Sequence, residues 1–194
     1  MNRYLLFAIT AVLGVAACQK MKTKSAAVPE KIDACSLITK DEVQKIQGQP
    51  VIDVKPSENA DDNFRYSQCF YTTQVSNESV SLAVTQRNPA SAKARDPKTF
   101  WKDTFGPYEG KMKESEGDEE KRKGMSEDDD ARARPPQKIK GLGEGAWWSA
   151  GRMGGSIYVL KDNVMIRVSV GGPENEESRI AKTRALAEIA LSRF

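Results

Sequence analysis

The stretch from Val164 to Val170 constrains the fold more than any other. Val164, Ile166, Val168 and Val170 fall on one side of an extended chain, and Arg167 and Ser169 on the other. Successive strand residues point to opposite faces, so this stretch has one apolar and one polar face. That pattern predicts an antiparallel sheet covered on a single side. Ser79 to Thr85 repeats it, with Val80, Leu82 and Val84 opposed to Ser81, Ala83 and Thr85. Ala146-Trp147-Trp148-Ser149 and Ser156-Ile157-Tyr158-Val159-Leu160 read as two further strands, the second entering Val164 through a Lys161-Asp162-Asn163 turn. Cys69 to Thr73 reads as another.

Helical signals bracket these strands. Thr39-Lys40-Asp41-Glu42 is a capping box, in which the Thr hydroxyl meets the N3 amide and the Glu carboxylate reaches back. Val43 and Ile46 form its apolar edge, and Gly48 with Pro50 ends the helix. At the other end, Ile180, Ala187, Ala190, Leu191 and Phe194 recur at helical period within Glu174 to Phe194. Acids lead that segment, while Lys182, Arg184 and Arg193 come later, as the macrodipole favours. A short helix is also predicted from Pro97 through Lys98 to Phe105, anchored by Phe100 and Trp101 and stopped by Gly106-Pro107. The expected architecture is α+β: an antiparallel sheet of about five strands with the amino-terminal and carboxy-terminal helices packed on one face.

Two stretches lack such signals. Residues 53–68, with clustered Pro, Asn and Asp, read as a loop. Residues 109–140 carry ten acids and nine bases, with Met112, Met125 and Ile139 at no regular period. They read as a solvated, disordered insertion. Glu127-Asp128-Asp129-Asp130 lacks the alternating ligands, central Gly and distal Glu of a calcium loop.

The first eighteen residues bear on location. Arg3 precedes an uncharged apolar run, Leu5 to Ala17, which is well short of the ~20 residues that cross a bilayer. The run ends in Val15-Ala16-Ala17-Cys18, which resembles the lipobox of bacterial lipoproteins. The resemblance implies a leader of residues 1–17 removed before Cys18, a diacylglyceryl thioether on Cys18 and acylation of the new amine. Two or three acyl chains give stable anchoring where one does not. Gln19 in place of Asp resembles outer-membrane sorting where a cell has two membranes, and otherwise the outer face of the cell membrane is implied. Residues 18–31 then form the lipidated cysteine and a tether bearing Lys20, Lys22 and Lys24, with a reach of ~40 Å. Residues 32–194 form one domain.

Lipidation of Cys18 leaves Cys35 and Cys69 as an even pair in an exported, oxidising compartment, where a disulfide is expected. Cys35-Ser36-Leu37-Ile38-Thr39, its helix ending at Gly48-Gln49-Pro50, and Cys69-Phe70-Tyr71 resemble a family of small secreted bacterial lipoproteins of unknown function. In that family a Cys-Ser-Leu-Leu-Thr helix is bridged to a Cys-x-aromatic strand. Gly141-Leu142-Gly143-Glu144-Gly145-Ala146-Trp147 resembles the family's Gly-Leu-Gly turn into an aromatic strand. The resemblance implies fold and location and no chemistry.

Composition narrows the function classes. The formal charge of +3 falls to +2 once Arg3 leaves with the leader, so no concentrated basic face marks a nucleic-acid binder. The chain has no histidine, which removes the commonest base and metal ligand together. No phosphate loop, nucleophile elbow or zinc-protease motif is present, no cofactor is implied, and no metal or catalytic residue stands out. One local cluster does: Trp147, Trp148, Arg152 and Tyr158. Adjacent tryptophans on a strand face opposite ways, so one is core and the other is exposed, in an interface, or covered by the Gly151–Gly155 loop or the insertion. The functional expectation is a membrane-tethered, non-enzymatic binding or accessory module that meets an envelope protein or small ligand. A carboxylate-based glycan hydrolase and a structural envelope component are the alternatives.

Overall fold

A computed structural model describes residues 29–109, 134–151 and 154–194. The chain enters through α1 (Ala34–Leu37) and α2 (Lys40–Gln47), then runs β1 (Val51–Ala60), β2 (Phe64–Thr73) and β3 (Val80–Arg87). After α3 (Pro97–Glu109) come β4 (Gln137–Ile139), β5 (Gly145–Gly151), β6 (Gly154–Lys161), β7 (Val164–Val170) and α4 (Glu176–Leu191). The strands form one antiparallel sheet in the order β1-β2-β3-β7-β6-β5-β4. Two meanders, β1–β3 and β4–β7, therefore meet where β3 pairs with β7.

The sheet has seven strands, which corrects the expected five. The two additional strands are β1 and β4, and β2 begins well before Cys69. Both additions lie on the edges and bury little: Val51 alone in β1 and Ile139 alone in β4. An edge strand needs no apolar alternation, and it tolerates Pro56, which has no N–H to donate to a ladder. Asp61 closes the β1–β2 hairpin by accepting from the amides of Asn63 and Phe64. β4 also places the end of the 109–140 run in the sheet, while residues 110–133 lie outside the described residues.

The covered face follows the alternation. Val80, Leu82 and Val84 join Val164, Ile166, Val168 and Val170 in the main core, under Ala34, Leu37, Ile38 and Val43 of the amino-terminal helices. From α4 come Leu186, Ala187 and Ala190, with Ile180, Leu191 and Phe194 packed at the margin. Asp162 and Asn163 both take positive φ, the geometry of a tight two-residue hairpin between β6 and β7.

The opposite face is not bare, which corrects the single-sided sheet. Trp147, Leu160 and Met165 project there and form a second core with Trp101 and Phe105 of α3. That helix runs on through Gly106-Pro107 to Glu109 instead of stopping at the glycine, with the proline taken up near its end.

Two ties hold the amino-terminal helices to the sheet, and a third joins them to the end of α4. Cys35 and Cys69 are bonded, S–S 2.07 Å, joining α1 to β2. Tyr71 donates its buried hydroxyl to the Ile38 carbonyl, and burial pushes that phenol up to about 12. Tyr71→Phe should therefore cost about 1–1.5 kcal/mol in urea unfolding, because the carbonyl loses its partner.

The third tie runs between the helices. Glu42 accepts from Thr39 in the capping box and from both terminal nitrogens of Arg193 after α4. The Arg193 hydrogen bonds, then the Thr39 amide, hold the Glu42 carboxyl down at about 2, against an ordinary 4.5. Folded Glu42 thus keeps its charge to a lower pH than the unfolded chain. Its stabilisation is complete above about pH 4.5 and is lost as pH falls towards 2. Glu42→Gln should cost about 1 kcal/mol at pH 6 for an exposed bidentate pair. The gap from wild type should narrow by pH 2.5 and close only below pH 2, as read from urea midpoints across that range.

Candidate functional site

Strand register decides which side chains share the face that carries α3. One row across it runs Lys138, Trp147, Tyr158, Arg167, Ala83, Gln68 and Ser57. The next row, towards the β5–β6 hairpin, runs Ser149, Ser156, Ser169, Ser81 and Phe70. α3 lies over the first row at Trp147 and Tyr158, and its last residue, Glu109, reaches Lys138. Phe105 stacks on the Trp147 ring at 5.8 Å and lies 5.5 Å from Tyr158, and Tyr108 closes from the side at 6.2 Å.

Beyond the helix the face is open. A shallow trough of about 320 Å³ lies at the β5–β6 end, lined by Ser149, Ser156, Tyr158 and Ser169 with the glycine backbone of that hairpin. The Ser156 and Ser169 hydroxyls bond each other. Phe70, at the far end of the serine row, is 44% exposed.

The expected tryptophan patch is divided by this geometry. Trp147 and Trp148 face opposite ways as the strand requires, but both are buried, at 0% and 1% exposure, and neither offers its ring to a partner. Trp148 belongs to the main core, and Trp147 is covered by α3 rather than by the glycine loop. Tyr158 lines the trough, while Arg152 and the lipidation residue Cys18 lie outside the described residues. The residues that the patch lacked are Arg167 and the serines. Each sits at a polar position of an alternating strand, so the signal was present, but only the strand order joins them.

Among the described residues, the carboxyl groups with displaced acidity lie elsewhere. The Lys98 ammonium, then the Asp162 amide, hold Glu144 below its usual range, and the Phe64 and Asn63 amides do the same for Asp61. With Glu42, all three are lowered and tied to structural partners. Among the described residues no group of three or more His, Cys, Asp or Glu is placed to hold a metal ion. No described helix is long and apolar enough to cross a membrane.

Comparison with protein-family models, with curated proteins and with solved structures finds no match to this chain.

Proposed function

We propose that the protein is a lipid-anchored, non-enzymatic binding or accessory module of a cell envelope, and that it binds at the serine trough. The observation that carries this reading is the position of the trough relative to the chain's entry. Arg65 and Gln86 hold the Pro29 and Glu30 carbonyls at one end of the sheet. The trough opens at the other end, five residues along β3 from that level, or about 17 Å. A tether leading back from Pro29 to a lipid on Cys18 would join the domain at the end opposite the trough, which supports the trough as the end offered to a ligand. The lipobox-like Val15–Cys18 supports the anchor, and Gln19 supports the periplasmic face of an outer membrane where there are two membranes.

The hydrolase alternative gains nothing from the electrostatics. Such an enzyme needs a carboxylic acid held above its usual range to protonate a leaving group. Among the described residues the displaced carboxyls move the other way.

Native mass spectrometry of the protein extracted from its own envelope in mild detergent tests the proposal. The expected result is a diacylglyceryl mass on Cys18 and a co-purifying adduct. That adduct should disappear when Ser169→Trp fills the trough. An unlipidated chain would overturn the anchor, and an adduct indifferent to Ser169→Trp would overturn the site.

A further inference from the structure

We propose that the ligand of this trough presents an oxyanion, a carboxylate or a phosphate, to Arg167; this rests on the binding-module reading above. By register, the sheet face that carries α3 holds the basic strand residues Lys55, Arg87, Lys138 and Arg167 against a single acid, Asp53. Three of the four bases are engaged. Lys55 lies 3.2 Å from Asp53, Arg87 donates to the Ala94 carbonyl, and Lys138 sits 3.5 Å from Glu109 and over the Trp147 ring. Arg167 has no hydrogen-bond or ion-pair partner among the described residues, and its Nε is buried without an acceptor.

A buried guanidinium nitrogen left unpaired is unfavourable, and its planar fork is matched by a carboxylate or phosphate through parallel N–H bonds. Arg167 is also placed beside the trough. Ser169 lies two residues along the same strand on the same face, about 7 Å away, and Ser156 is its cross-strand neighbour. The bond between those two hydroxyls uses one of their two O–H donors and leaves the other for a ligand. An oxyanion bridging Arg167 and the serine pair would satisfy the Nε and the spare hydroxyl together. A neutral polyol would satisfy the hydroxyl and leave the guanidinium as it is.

The test is an NMR titration of the full mature chain carrying Cys18→Ser, with inorganic phosphate, sodium acetate and glucose as separate probes. The signals followed are the Arg167 Nε–H and the amides of Ser156, Ser169 and Gly171. Saturable shifts of these signals with phosphate or acetate are expected, and the stronger of the two identifies the oxyanion. Arg167→Met should weaken that binding at least tenfold, and Arg167→Lys, which keeps charge but loses the fork, should weaken it less. Well-dispersed spectra show that each variant is folded. No saturable shift with either anion, or equal shifts in Arg167→Met, overturns the proposal. Shifts with glucose alone overturn the oxyanion while leaving the binding-module reading in place.

Discussion

Truncating Trp148 to alanine should destabilise the protein by about 3–5 kcal/mol, the range for removing a large aromatic from a core. Trp148 is one of the two largest fully buried side chains, and it sits in the main core opposite Ile157 of β6. The site cannot easily collapse, because the backbone of β6 rests directly on the indole. A Cβ at Gly155 would fall 2.1 Å from Trp148 Cζ2, which is why that strand position carries no side chain. Two controls separate packing from polarity. Trp148→Phe should lose less than Trp148→Ala, since the indole Nε1 is buried without a partner and its removal frees an unsatisfied donor. Gly155→Val should destabilise by overpacking, by about 1–3 kcal/mol or more. Urea unfolding at fixed m-value reads all three. A loss below 1 kcal/mol for Trp148→Ala would mean that β5 and β6 do not pack as described.

Removing the Cys35–Cys69 bond should cost nearly as much. The cysteines are 34 residues apart, and closing a loop of that length restricts the unfolded chain by roughly 3–4 kcal/mol in the chain-entropy model. The effect should be large because α1 is only four residues long, so the bond is a major addition to its packing through Ala34 and Leu37. Besides the bond, Asp33 caps the Cys35 amide and Ser67 accepts from the Ala34 amide. Reductant should lower the melting temperature of the wild type and leave a Cys35→Ser/Cys69→Ser variant unmoved. Equal melting temperatures for wild type and double variant would show that the helix is held by packing alone.

The parts of the fold legible in the sequence are those whose local signal and tertiary role agree. The α2 box reads from Thr39 and Glu42 because the cap is made within four residues. The alternation in β3 and β7 reads because these are the central strands, packed on a core all along one face. Residues 53–60 of β1 read as loop in the sequence because, Lys55 to Ala60 above all, they meet solvent. Its strand state comes from hydrogen bonds to β2, which leave no periodic trace. The single-sided sheet failed for a related reason. Leu160, Met165 and Trp147 occupy polar-face positions, and only α3 lying across three strands makes them a second core. At the candidate site the aromatic residues drew attention by type, yet their size is what buries them. Arg167 and the serines look like ordinary solvent-facing positions until β7 is known to lie between β3 and β6.

The most direct test of binding at the open end of the sheet is chemical-shift mapping. Labelled mature protein would be mixed with the small-molecule fraction released from its own envelope. The expected result is a set of shifts confined to Ser149, Ser156, Tyr158, Arg167, Ser169 and Gly171, with none around Pro29 and Arg65 at the opposite end. Shifts gathered on β1, on the helices of the covered face, or nowhere would contradict the account.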